Sequence, residues 1–227
     1  MSLSARKIRL IMQLRQSGIT DTRVLSAIER VPRELFVPAP FQDQAYENRA
    51  LPIGHAQTLS QPEIVAIMTQ ALQIGPRHKL LEIGTGSGYQ AAVLSMLCRR
   101  LYTIERHKPL LQEAEARLLS LRRHNVTTRH GDGSAGWKEQ APFDRIMVTA
   151  AAAEVPQALL AQLAVGGILV VPVGPERGNQ ELIRVTRTET GYEHERVCDV
   201  RFVPLISGAL PEEGGADQPT SRKRARS

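Results

Sequence analysis

LLEIGTGSGY spans Leu80 to Tyr89. A short apolar run ends in Glu82-Ile83-Gly84-Thr85-Gly86-Ser87-Gly88, and an apolar pattern at helical spacing continues to about residue 98. The stretch reads as a strand from Lys79, a glycine-rich turn and a helix. Glycine adopts positive φ without steric cost and lets backbone approach a ligand closely. The following helix offers unpaired N–H groups. Such a turn suits a nucleotide-like cofactor at the carboxyl edge of a parallel sheet. Taken alone, it also fits a plain tight turn between strand and helix.

The flanking sequence repeats the alternation. RLYTIE is a second strand ending at Glu105, where a carboxylate can accept both hydroxyls of a ribose. A helix over about 108–123 follows, then NVTTRHGD, a third strand ending at Asp132-Gly133. A carboxylate there can reach an adenine amine. FDRIMVTA is a fourth strand, 156–163 a helix, GILVVPVG a strand, and 181–187 and 194–203 are extended. Strands alternating with helices predict an α/β fold, Rossmann-like, with a doubly wound, mostly parallel sheet. Short turns between the last strands predict a C-terminal antiparallel edge.

Upstream, residues 3–17 and 21–30 read as helices, the second capped by Asp21. Pro32, Pro38 and Pro40 then break regular structure, and 41–59 is a long ordered loop with short extended pieces. The expected organisation is N-terminal helices and a substrate loop over 1–60, a core over 61–210, and a basic tail over 211–227. The tail lacks apolar residues and is expected to be disordered.

The 227 residues are 42% hydrophobic and 23% charged, which excludes wholesale disorder. A net charge of +6 raises nucleic acid as a partner, but 4% aromatic residues disfavour a stacking platform for single strands. The charge is also in the wrong place: residues 34–76 carry one base and four acids. Cys98 and Cys198 cannot form a disulfide framework and read as reduced thiols. The longest apolar run, Leu163 to Val173, is too short to span a bilayer. A cytoplasmic protein, without membrane or nucleic-acid partners and favouring a monomer, is the expectation.

The G-x-G-x-G spacing differs from the dinucleotide pattern G-x-G-x-x-G. No Tyr-x-x-x-Lys pair is present. An acidic Glu82 beside the turn suits a cationic cofactor better than a pyrophosphate. S-adenosyl-L-methionine carries a sulfonium and no phosphate, so charge complementarity points to a methyltransferase.

Ahead of the turn lies ALPIGHAQTLSQPEIVAIM, residues 50–68. Ser60 and Glu63 form S-x-x-E, the spacing of a capping box, at the start of a third helix. Ser60 is open to two readings: a cap alone, or a cap that also holds a carboxylate in the favourable field of a helix N-terminus. His55 reads as a loop-packing group or, less simply, a base. The other histidines lack metal-ligand spacing, so no metal site is expected.

These stretches together resemble the protein-L-isoaspartate (D-aspartate) O-methyltransferase family. VPRELFVP, ALPIG..QTLSQP, LLEIGTGSGYQAAVL, YTIER, GDGSAGW, APFD.I.VTAAA, VGGILVVPVG and VRFVPL carry the likeness, from about residue 20 to 208. The glycine motif is common to many methyltransferases, whereas QTLSQP and VRFVPL are particular to this family. The resemblance implies Ser60 as the active-site serine. It implies Thr58, Ser60, Glu82, Gly84, Gly86, Ser87, Glu105, Asp132 and Gly133 as residues around the cofactor. It implies S-adenosyl-L-methionine as methyl donor, with S-adenosyl-L-homocysteine as product. The implied substrates are L-isoaspartyl and D-aspartyl residues of damaged proteins and peptides, methylated as the first step of repair through a succinimide. Ala56 stands where the family usually has glycine, and Ala153 where it commonly has proline.

Two rivals make different demands. An amino-directed nucleic-acid methyltransferase would carry an Asn/Asp-Pro-Pro-aromatic motif where this chain reads VTAAAA, and a cytosine C5 enzyme would need a cysteine nucleophile, usually after proline. A non-catalytic cofactor- or peptide-binding protein would bind the methyl donor without turning over an isoaspartyl peptide.

Overall fold

In the computed structural model, residues 2–208 are described. Helices α1 (Leu3–Gln16) and α2 (Thr22–Arg30) open the chain, and Asp21 caps α2 by accepting the Arg23 N–H at 2.9 Å. Two 3-10 turns, Arg33–Phe36 and Ala39–Gln44, occupy the proline-rich stretch. The expected loop resolves into a hairpin of β1 (Leu51–Gly54) and β2 (Gln57–Leu59), and α3 (Pro62–Ala71) follows.

The main sheet begins with β3 (Lys79–Ile83), followed by α4 (Tyr89–Ser95), β4 (Arg100–Glu105), α5 (Lys108–Ser120) and β5 (Val126–His130). Next come β6 (Phe143–Val148), α6 (Gln157–Leu160), β7 (Leu163–Val173), β8 (Gln180–Arg187) and β9 (Tyr192–Val200). Strand order is β5-β4-β3-β6-β7-β8-β9. β3 to β7 pair in parallel, whereas β8 and β9 return antiparallel. This is the mostly parallel, Rossmann-like sheet with an antiparallel edge that the alternation predicts. The expected helix over 156–163 shrinks to the single turn of α6, because β7 already begins at Leu163.

Side-chain alternation assigns the two faces of the sheet to different apolar layers. Leu80 joins Leu14, Phe36, Val65 and Val93 on one face; Leu81 and Ile83 join Ile146, Leu159 and Leu169 on the other. The N-terminal helices thus join the layer on one face of the sheet, where α2 packs against α3 and α4. Order reverses around β3, with β4 on one side and β6 on the other. In open α/β sheets the crevice for a ligand forms beyond the carboxyl ends of the strands at such a switch.

Candidate functional site

A cleft of about 940 Å³, counting its open mouth, lies at that place. Three segments wall it: residues 57–60 of the hairpin and its exit, the glycine turn after β3, and residues 202–206 after β9.

The turn explains its own composition. Gly84, Gly86 and Gly88 all have positive φ, at 94°, 53° and 89°. A Cβ on Gly84 would lie 2.3 Å from Thr149 Oγ1, and that hydroxyl is hydrogen-bonded to the Gly84 carbonyl at 2.7 Å. A Cβ on Gly86 would point into the cleft, meeting only Ile53 Cδ1 at 3.5 Å. The Glu105 carboxylate braces the turn from β4: it accepts the Gly86 N–H at 2.8 Å and the His107 N–H at 2.9 Å.

Thr58, Ser60, Gly84, Gly86, Ser87, Glu105 and Gly133 all border the cleft. Glu82 and Asp132 do not line it: Glu82 is buried, whereas Asp132 stays partly exposed. Glu82 is fully buried beneath the turn, where its Oε2 accepts from Thr103 Oγ1 at 2.6 Å and Thr103 in turn meets Thr85 at 2.7 Å. Burial pushes its carboxyl up to about 8, against the Thr103 hydrogen bond, and the nearby Glu105 charge adds to the rise. Glu82 therefore lies in the packed layer and does not supply the acidic cleft lining expected beside the turn. Asp132 accepts from Ser134 N at 2.8 Å and Gly208 N at 2.7 Å, tying the chain after β9 to the end of β5. Burial opposes its ionisation, but these N–H donors outweigh that and hold its carboxyl below the usual range.

Ser60 differs from the capping expectation. The N-cap of α3 is Gln61, which makes no side-chain cap. Asn48 does the capping from a distant loop: its Oδ1 accepts the Glu63 N–H at 3.0 Å and its Nδ2 donates to Glu63 Oε2 at 2.7 Å. This pairing has the reciprocal form of a capping box, with the serine replaced by a side chain from outside the helix. The Ser60 hydroxyl makes no hydrogen bond among the described residues and borders the cleft.

At the hairpin tip, His55 and Ala56 have φ of 49° and 55°. This two-residue loop needs positive φ at both positions, as in a type I′ turn, which favours Asn and Gly. Ala56 follows the course that glycine would take, at the cost of strain. The His55 ring stacks on His107 with centroids 5.4 Å apart, so it packs the hairpin against the start of α5.

Other cleft-lining groups were not singled out from the sequence. Thr85 and Tyr89 sit in and just after the turn, Arg106 and His107 follow Glu105, and Thr149 ends the β6 path. Position at a parallel strand end was the available signal for Thr149. Arg106 donates to the carbonyls of Ile206 and Gly208, at 3.1 and 3.3 Å. That exposed contact joins segments about 100 residues apart in sequence and has no local signature.

The sequence profile of the family described as protein-L-isoaspartate(D-aspartate) O-methyltransferase matches residues 5–210. A Rhodospirillum rubrum protein-L-isoaspartate O-methyltransferase is 64% identical over 94% of this chain and 98% of its own length. A Paramagnetospirillum magneticum relative of the same description is 65% identical over 92% and 97%. Among solved structures, one protein-L-isoaspartate O-methyltransferase aligns with a TM-score of 0.79 and 26% identity, over 88% of this chain and 66% of that longer one. A Plasmodium falciparum chain of the same type, solved in complex with S-adenosyl-L-homocysteine, aligns with a TM-score of 0.76 and 25% identity, over 87% and 97%.

Proposed function

The chain belongs to the protein-L-isoaspartate (D-aspartate) O-methyltransferase family, and from that premise we propose that it methylates the α-carboxylate of L-isoaspartyl residues, and of D-aspartyl residues, in damaged proteins and peptides. The single observation that carries this reading is the uncommitted Ser60 hydroxyl, set on the same cleft as the glycine turn.

The cleft suits S-adenosyl-L-methionine. The space at Gly86 would be filled by any side chain, and Glu105 presents a carboxylate at the strand end where a ribose is held. Arg106 is the only lining Lys or Arg, and it is engaged with backbone carbonyls, so no phosphate clamp is present among the described residues. When bound, S-adenosyl-L-methionine supplies an electrophilic methyl carbon on a sulfonium. Gly84, Gly86, Ser87 and Glu105 would hold it, with Gly133 beside the adenine end. Glu82 and Asp132 would act behind them, by fixing the turn and the segment after β9.

The remaining chemistry asks little of acid–base groups. A substrate carboxylate with a pKa near 4 is already ionised at pH 7. Ser60, with Thr58 beside it, would donate hydrogen bonds that aim the carboxylate oxygen along the line of displacement. Such orientation accounts for about 7–11 kcal/mol of barrier reduction. The hydrogen bonds must stay moderate, because holding the ground state as tightly as the transition state gains no rate. The ester then closes to a succinimide without the protein, as the neighbouring backbone amide nitrogen of the substrate attacks the ester carbonyl and methanol leaves.

On this reading residues 1–60 form a substrate-holding layer on a methyl-donor core over 61–210. The protein works as a cytoplasmic monomer without nucleic acid. Two free cysteines are compatible with a reducing compartment, and no helix among the described residues is long and apolar enough to cross a membrane.

The test is methyl transfer to an isoaspartyl peptide beside its normal aspartyl twin. Transfer to the isoaspartyl form alone is expected. Equal transfer to both, or to neither, would overturn the proposal, the latter in favour of a binding protein.

A further inference from the structure

VPRELFVP, a motif outside the cleft, contains a charged side chain that is 0% exposed: Arg33. No carboxylate forms a salt bridge with it among the described residues. Its Nε donates to the Ala45 carbonyl and its Nη2 to the Ser60 carbonyl, each at 2.8 Å. The guanidinium lies over the Tyr89 ring, 4.8 Å from its centroid. Nη1 and the Tyr89 hydroxyl are also buried, and the two side chains interact electrostatically. Ala45 and Ser60 both lie outside the regular elements, so neither carbonyl has a place in a helix or strand ladder. Tyr89 is the first residue of α4 and borders the cleft.

Stability alone is a poor reason for this arrangement. A buried charge carries a desolvation cost that apolar residues of similar volume avoid, often with a gain in stability. The arrangement does achieve one thing that an apolar side chain cannot. A planar fork reaches two carbonyls while its face rests on an aromatic ring, a geometry lysine does not reproduce. Through it, the backbone at Ser60 is tied to the residue that follows the glycine turn.

We propose that Arg33 is a positioning residue for methyl transfer, setting the distance between the Ser60 loop and the glycine turn by gripping the Ser60 carbonyl against Tyr89. The proposal rests on the reading of Ser60 given above. Arg33 touches neither reactant; it acts through the loop that holds one and the helix start beside the other.

The test compares full-length wild type, Arg33→Lys, and Leu25→Ala as a variant destabilised in α2 away from the cleft. Misplacement of reacting groups by an ångström can cost about a hundredfold in rate, so Arg33→Lys should lower kcat/KM for an isoaspartyl peptide by about tenfold or more. Its Kd for S-adenosyl-L-homocysteine should stay within about threefold of wild type. Leu25→Ala should lower Tm yet keep kcat/KM per folded molecule. Amide hydrogen exchange should quicken at Leu59 and Ser60 in Arg33→Lys but not in Leu25→Ala. Near-wild-type kcat/KM in Arg33→Lys, an equal loss in Leu25→Ala, a parallel loss of S-adenosyl-L-homocysteine affinity, or unchanged exchange at Leu59 and Ser60 would each overturn the proposal. Failure of wild type to methylate the isoaspartyl peptide would overturn the functional reading instead. The exchange measurement would still decide whether Arg33 orders the loop.

Discussion

Asn48 relieves Ser60 of a structural duty, and the two residues should therefore respond oppositely to truncation. Ser60→Ala should leave stability within about 0.5 kcal/mol, as for substitutions that break no internal contact. It should slow methyl transfer while S-adenosyl-L-homocysteine still binds. Asn48→Ala should lose about 1 kcal/mol, the usual worth of a helix cap, visible in urea unfolding. Reversed effects would restore the cap-only reading of Ser60. The sequence pattern S-x-x-E was misleading here for a physical reason: a local spacing says nothing about a side chain arriving from another loop. Ala56 offers a second residue-scale test. Left-handed φ costs an L-residue about 1–2 kcal/mol, and the extra unfolded-state freedom of glycine takes back about 0.4–1. Ala56→Gly should thus gain about 0.5–1 kcal/mol in denaturant unfolding, and a loss would show that the alanine is unstrained.

At the scale of elements, the turn between β3 and α4 has the least tolerance. Gly84→Ala would place a methyl group 2.3 Å from Thr149 Oγ1, at a φ of 94°. The Thr149 hydroxyl would have to turn away from the Ile83 and Gly84 carbonyls, and alanine is strained at this φ, so a loss of about 2 kcal/mol is expected, together with loss of S-adenosyl-L-homocysteine binding by calorimetry. Retained affinity would mean that the turn is more pliable than its geometry indicates. This element was legible because its composition has a backbone cause: three left-handed positions need three glycines. Glu105 was legible for a related reason, standing at a strand end beside the switch in sheet order. Glu82 was misread because its position in the motif reveals nothing of which way the side chain faces. Alternation along β3 turns it into the packed layer beneath the turn, not toward the cleft.

For the whole molecule, that buried carboxyl sets a dependence of stability on pH. Its folded pKa is raised from the ordinary 4.5 to about 8, mainly by burial. The folded state keeps a proton that the unfolded state releases, so its contribution is fully present below about 4.5 and is lost as pH rises through 8. A Glu82→Gln variant has no such proton. Between pH 5 and 8 wild type should lose stability relative to Glu82→Gln by an amount on the order of a few kcal/mol. Parallel stability curves would refute the assignment. Alternation of strands and helices made the doubly wound, mostly parallel character of the sheet accessible from sequence, and the late hairpin of β8 and β9 was visible in its short connection. The bonds that close the molecule were not visible, since Arg33 to Ser60 and Arg106 to Ile206 join distant segments through backbone carbonyls.

The cleft draws one wall from residues 57–60 and another from 202–206. During synthesis the glycine turn is made when more than half of the chain is still missing. At about 5–20 residues per second, several seconds pass before the last wall exists. A nascent chain can have its turn and its serine yet enclose nothing between them. Competence for methyl transfer therefore arrives in a single late step, and chains halted before Phe202 should be folded in part but inert.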